Sequence, residues 1–277
     1  MQFRWWYPFP FDASKHGWEV DRLINILHVF MVVLFVGWAF FMMYCLVRFR
    51  QRAGQKASYE LIHAKPSKVA EGLIVLFEVF LLFFLSMPVW AKIKNEFPEE
   101  NPSDPARKPL IVRVVAQQFA WNFHYAGPDG VFGRTDPNKA KAGAGNPIGL
   151  DYSDPAAKDD VVSPVFHVPA GRPVIARLTS MDVIHGFHIP YLRIQHDVLP
   201  GMEVKIWFEA DERKIPPPPP PAPDGTTREG NAEVVCAQLC GNSHFKMRGA
   251  VVIETAKQFA AWLQMKQDEK NVKFEED

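Results

Sequence analysis

The chain has 277 residues, 48% of them hydrophobic, which leaves room for a membrane anchor plus one folded domain. With 31 basic and 31 acidic side chains its formal charge is zero, so no bulk electrostatic pull toward nucleic acid exists. Three cysteines make no disulfide framework, no C-x-x-C-H is present to hold haem covalently, and no long internal repeat occurs.

Residues 1–22 open with Phe3, Trp5, Trp6 and Tyr7 and continue with mixed charge. Such aromatic rings favour the membrane–water boundary. A secretory leader would run directly from a basic start into a short apolar core and a small-residue cleavage site. This start reads instead as a retained interfacial segment. From Leu23 to Val47 the chain is apolar over about 25 residues, enough to cross a hydrocarbon core as a helix. His28, near its first turn, reads as a packing or interfacial residue. Arg48, Arg50, Arg52, Lys56, Lys65 and Lys68 follow, opposed only by Glu60. Short basic loops stay in the cytoplasm, so both outer ends of the hairpin belong on the other side. His63 in this loop reads as solvated. A second apolar run, Val69 to Trp90, ends in Met87, Pro88, Val89 and Trp90 and is interrupted by Glu71 and Glu78. Residues 91–108, charged and rich in proline, read as a linker.

The rest, 109–277, reads as a mainly β domain outside the membrane. Leu110–Val115 and Phe119–Tyr125 look like strands. Phe119, Trp121, Phe123 and Tyr125 alternate onto one face, which leaves His124 on the opposite face and exposed. Residues 127–160 are an insertion with little apolar pattern. Asp151, Asp154, Asp159 and Asp160 lack a calcium-loop spacing and read as a solvated cluster. Val161–Val168 and Pro173–Thr179 suggest a strand pair across residues 169–172. Residues 199–202 form a turn before a strand over 202–209. The prolines of 216–223 suggest a polyproline surface loop. Thr255 and Gln258 fit a capping box opening a terminal helix, with Phe259, Trp262 and Leu263 on its packed face.

The chemistry concentrates in Cys236, Cys240, His244 and Met247, a C-x3-C-x3-H-x2-M loop. Thiolate, imidazole and thioether are the soft ligand set that selects copper. One thiolate with two imidazoles suits a single blue copper; two thiolates can bridge a pair of ions. Two thiols four apart in an oxidising compartment can also close a disulfide, and Cys with His can hold zinc. Neither of those readings uses Met247 or the segment Thr179–Pro190, which offers His185 and His188.

The loop, and the upstream segment carrying His185, resemble cytochrome c oxidase subunit II. The resemblance covers essentially residues 23–265, apart from much of 127–160 and 213–230. It implies a membrane α-helical hairpin followed by an all-β, cupredoxin-like Greek-key barrel. It implies a binuclear copper A centre bridged by Cys236 and Cys240. His185 and Met247 complete one copper, and His244 with the backbone oxygen of Gln238 completes the other. His188 is then a packing residue. The aromatic strand becomes the region of electron input, with Phe119 and Trp121 as its residues, although the mitochondrial type has Trp where Phe119 stands. Residues 193–202 become a face toward subunit I.

The resemblance further implies electron transfer from cytochrome c, or another one-electron carrier, to haem in subunit I. There oxygen is reduced to water and protons are pumped. Partners would be subunit I, other oxidase subunits and membrane lipid, in a bacterial inner membrane with both termini on the periplasmic side. Glu71 stands seventeen residues before Pro88, the interval of the family's proton-uptake carboxylate. Glu78, about 10 Å further along the helix, has no matched counterpart. Many relatives have Glu at position 238, reaching magnesium; the neutral Gln238 makes that contact doubtful. A copper A subunit of a nitric oxide reductase or other respiratory complex and a membrane-anchored copper carrier are the alternatives. A quinol-oxidising relative would lack the copper ligands.

Overall fold

The computed structural model describes residues 10–56, 59, 65–141, 145–219 and 229–276, with side chains of 270–276 left aside. The expected aromatic interfacial cluster at 3–7, His63, Glu60 and the later prolines of 216–223 lie outside the described residues. The chain divides into two units, one holding 19–97 and the other 10–18 with 98 onward.

The first unit is helical. α1 (Gly17–Arg48) has Glu19 in its first turn and Arg48 in its last, charges that complement the helix dipole. His28 bonds the Ile24 carbonyl oxygen one turn back at 2.8 Å. The second helix runs as α2 (Lys65–Phe80), a π-helical stretch (Leu81–Ser86) and α3 (Met87–Asn95). Pro88 carries no N–H, and just before it the ladder shifts register, with the Met87 N–H reaching the Leu82 oxygen. Phe30 meets Phe77 at 4.3 Å between ring centroids, and Lys92 pairs with Glu19, so the two helices run antiparallel. Both are long and apolar enough to cross a membrane. The second continues to Asn95, into the stretch that sequence reads as linker.

The second unit is built from two five-stranded sheets. One has the order β3–β2–β1–β5–β8, the other β4–β10–β9–β6–β7. The strands are β1 (Leu110–Gln117), β2 (Ala120–Tyr125), β3 (Val161–Ser163), β4 (Phe166–Pro169), β5 (Pro173–Ser180), β6 (His185–Ile189), β7 (Ile194–Val198), β8 (Val204–Glu209), β9 (Ala232–Cys236) and β10 (Arg248–Glu254). β1 pairs parallel with β5 and β10 with β4; the other ladders are antiparallel. This is a cupredoxin-like sandwich. Alternate residues of β1, Val112, Val114 and Ala116, turn into the core, as the strand period requires. Phe123 stacks on Phe166 at 4.5 Å, and Phe166 meets Phe187 and Phe208 edge-on, so four strands of the two sheets share one aromatic core.

Several sequence expectations are corrected here. Residues 161–179 are not a hairpin. They break at Ser163–Pro164–Val165, and β4 goes to the second sheet beside β10 while β5 stays in the first beside β1. His124 is not exposed; it is fully buried, bonded to Asp160 at 2.6 Å. The cause is the 127–160 insertion, which folds back over the outer face of β1 and β2. Ile148, Leu150 and Ala157 bury Val115 in a second small core. The aspartates there are not a free solvated cluster either. Asp154 accepts from the backbone of Arg134 and Ala156, Asp151 from Ser153 and Lys139, and Asp160 from Gly133.

Residues 10–22 divide between two elements. The helix starts at Gly17, and residues 10–16 form a strap on the β unit. Ala13 donates its N–H to the Tyr191 oxygen and accepts from Asp211, both at 2.8 Å. Buried Asp12 is held by Lys214 at 3.0 Å, and Arg193 donates to the Pro10 and Phe11 carbonyls. At the other end α4 (Ala256–Glu276) opens on the reciprocal Thr255–Gln258 bonds expected of a capping box. Trp262 lies flat on His167 at 3.8 Å, and Phe259 is buried against the same core.

Candidate metal centre

Three strand ends deliver the donors. β6 begins at His185, β9 ends at Cys236, and the loop from 237 to 247 returns into β10. The Ala237 N–H donates to the Gly186 oxygen at 2.9 Å and the Cys236 N–H to the Met247 oxygen at 3.1 Å, so both ends of the loop are stitched down. His185, Cys236 and Cys240 form a buried group whose ligand atoms all lie within 4.8 Å of one another.

The two sulfurs are 3.7 Å apart. A disulfide would need about 2.05 Å, so the pair is two free thiols here. Cys236 Sγ lies 3.9 Å from His185 Nδ1 and 3.1 Å from the Gln238 carbonyl oxygen. Cys240 Sγ lies 3.6 Å from His244 Nδ1 and 3.8 Å from Met247 Sδ. Every donor named from the sequence therefore stands against one or other thiol. Met247 is 2% exposed, whereas the Gln238 side chain is exposed and only its carbonyl turns inward. Burial, with Cys236 beside it, pushes the Cys240 thiol up to about 11. Such a thiol stays protonated alone and loses its proton to a soft cation. The set of two sulfurs, two imidazoles, a thioether and a carbonyl fits copper chemically; zinc would leave the thioether and carbonyl unexplained.

The sequence reading missed three supporting residues. Asp182 takes the His185 Nε2–H at 2.8 Å, which leaves Nδ1 as the lone pair facing the sulfurs. Burial raises the Asp182 carboxyl, but hydrogen bonds from His185, Gln118 N–H and Val183 N–H outweigh it and lower it overall. Gln118 donates its side-chain amide to the Cys240 oxygen. Gly186 lets the loop backbone press onto β6. A carboxylate three residues before a ligand histidine was a visible signal, as was the Q-x-x-W pattern of Gln118 and Trp121 around Phe119; Gly186 had none.

His188 turns away, bonding the Ile194 oxygen at 2.9 Å. Trp121 is 2% exposed, edge-on to the His185 ring at 6.1 Å. Phe119 is half-buried against Gly241 of the loop. Glu71 and Glu78 sit on α2, both exposed on this chain, and form no part of the cluster.

The chain thus joins two helices long and apolar enough to cross a membrane to a two-sheet β domain with a buried soft-donor group that could hold a metal. No family model matches the chain. Over 264 residues it is 32% identical to the alternative cytochrome c oxidase subunit 2 of Bradyrhizobium diazoefficiens, across 94% of this chain and 83% of that protein. It is 22% identical over 261 residues to cytochrome c oxidase subunit 2 of Cereibacter sphaeroides, across 91% and 78%. Among solved structures, the periplasmic domain of subunit II of cytochrome oxidase from Bradyrhizobium japonicum aligns with a TM-score of 0.37 at 22% identity, covering 58% of this chain and 94% of that one. The chain belongs to the cytochrome c oxidase subunit 2 family. These relatives do not favour the nitric oxide reductase or carrier alternatives.

Proposed function

We propose that this chain receives electrons singly from cytochrome c, or a similar carrier, at a binuclear copper A centre and delivers them to haem in subunit I. Oxygen is reduced there, and not on this chain. The observation that carries the reading is the pair of thiols 3.7 Å apart with four further donors around them.

Cys236 and Cys240 would hold the two coppers between them. His185 and Met247 would complete one, and His244 and the Gln238 oxygen would complete the other. When bound, the pair supplies one-electron storage delocalised through the thiolates. The protein's own part is to hold the donors still, so that little rearranges between redox states. Asp182 fixes the His185 tautomer, the strand ends fix the sulfurs, and Met247 closes the site to water. Phe119, at the edge of the site, is the surface residue for electron input, with Trp121 behind it against His185. The exposed neutral side chain of Gln238 is a poor magnesium ligand, so that contact is weak or absent.

The β domain and both termini lie on the periplasmic side of a bacterial inner membrane, with the basic stretch after α1 inside. Glu71 lies at the mouth of a proton path, and Glu78 faces subunit I, since an ionised carboxylate in lipid is unfavourable. Glu78→Gln separates a relay from a purely structural bond there. A large loss of turnover in an assembled complex marks the relay, and full turnover excludes it.

The test of the centre uses the full-length chain in detergent, because residues 10–16 belong to the folded domain. Copper loading should give two ions per chain and a purple, mixed-valent spectrum that Cys236→Ser abolishes. One copper per chain with an intense blue band would refute the binuclear centre. Mass spectrometry of the complex that co-purifies identifies the partner subunits.

A further inference from the structure

We propose that Gln118 is a positioning residue that locks the two metal-ligand segments into one frame; this rests on the copper reading above. Its side-chain Nε2 donates to the Cys240 oxygen at 2.6 Å. Its backbone N–H donates to Asp182 Oδ2, also at 2.6 Å, and the other oxygen of that carboxylate holds His185 Nε2 at 2.8 Å. One residue thus grips the cysteine loop 122 positions away with its side chain and the histidine segment 64 positions away with its backbone.

The frame it offers is rigid. Gln118 sits in the tight turn between β1 and β2, where Gln117 pairs with Ala120 and the ladder continues unbroken to Val112. The loop is shaped to receive it. At Gly241, with φ +134°, a Cβ would come within 2.8 Å of Gln118 Nε2 and 3.0 Å of the Phe119 ring. Only glycine leaves space there for the amide. Holding the Cys240 carbonyl fixes the peptide that leads into Gly241, and with it the direction of a thiol that must face both Cys236 and His244. The same turn carries Phe119, so the residue proposed for electron input is anchored to the metal loop through its neighbour. Gln118 touches no donor atom itself; it acts through Cys240 and Asp182.

Gln118→Met keeps length and removes the donor, and Gln118→Glu keeps shape but presents a carboxylate to a carbonyl. In the full-length chain, Gln118→Met should still bind the same copper and melt within a few degrees of the wild type. It should release copper to a chelator about 2- to 10-fold faster, the range for one lost hydrogen bond. Its paramagnetic hyperfine pattern should change. Gln118→Glu should release faster still at neutral pH.

The metal-free chain gives a separate readout, since alkylation of Cys240 should quicken in Gln118→Met by a similar factor. Unchanged release, spectrum and alkylation in Gln118→Met, or release from Gln118→Glu no faster than from the wild type, would overturn the proposal. A wild-type chain that takes up no copper pair overturns the reading of the centre instead, and the alkylation rates still decide the role of Gln118.

Discussion

Gly186→Ala probes how closely the metal loop is packed, backbone to backbone, on β6. A Cβ built at Gly186 lies 2.9 Å from Gln238 N, 3.0 Å from Ala237 C and 3.1 Å from Ala237 N. All three are backbone atoms, so no side chain can swing aside. Ordinary contact begins near 3.4 Å, and the loop must lift by about 0.5 Å. That movement strains the Ala237–Gly186 hydrogen bond of 2.9 Å. It also carries the Gln238 oxygen away from Cys236 Sγ, 3.1 Å distant. Overpacking of this kind destabilises by about 1–3 kcal/mol, and the weakened bond adds up to about 1 kcal/mol. At roughly 2–4 °C per kcal/mol for a domain of this size, the melting temperature should fall by about 5–10 °C. Circular dichroism of the full-length chain in detergent measures it, and the copper spectrum reports the displaced carbonyl. Gly37→Ala is the control, because nothing lies within 4 Å of its Cβ position. If Gly186→Ala melts with the wild type and keeps its spectrum, the close approach does not constrain the loop and the reasoning fails.

His124→Leu should destabilise the β domain by about 1–3 kcal/mol, since it removes the His124 hydrogen bond to buried Asp160, which keeps the Gly133 N–H. Thermal melts of His124→Leu and of the double variant with Asp160→Leu check this. The double variant should recover much of the loss, and equal melting of the two would contradict it. Asp211, beside the strap, has its carboxyl held down to about 2 by hydrogen bonding to the Arg213 guanidinium. A lowered carboxyl stabilises the fold above the ordinary carboxylate range, near 4, and that contribution fades as pH falls toward 2. The melting difference between wild type and Asp211→Asn should therefore be constant from neutrality down to about pH 4 and shrink below it. A difference that grows on acidification would reverse the sign of the argument.

The local chemistry was readable because it depends on spacing. Cys236, Cys240, His244 and Met247 lie within a single loop, and the fixed stitching of its ends at Cys236 and Met247 turns that spacing into geometry. The apolar runs, the capping box of α4 and the inward alternation of Trp121, Phe123 and Tyr125 were legible for the same reason, since helix and strand periods are short-range properties. The burial of His124 was not legible. Alternation says which face a side chain takes, and it cannot say that a distant insertion covers that face.

What the sequence determined by itself was thus the inventory: two apolar helices, a β domain, and a soft donor set in a form that suits paired copper ions. Tertiary structure alone decided which strands share a sheet. Pro164 marks a break, but only the pairing of β4 with β10 and of β5 with β1 sends the two halves to different sheets. It alone placed residues 10–16 on the β domain, through backbone bonds to Tyr191 and Asp211 that carry no side-chain signature. It also chose the residues around the metal donors. Gln118, Asp182 and Gly186 act through a few hydrogen bonds or a missing Cβ, across up to 122 positions of chain. Apart from the carboxylate three residues before His185, such contacts leave little in the sequence, because they exist only once the chain has folded.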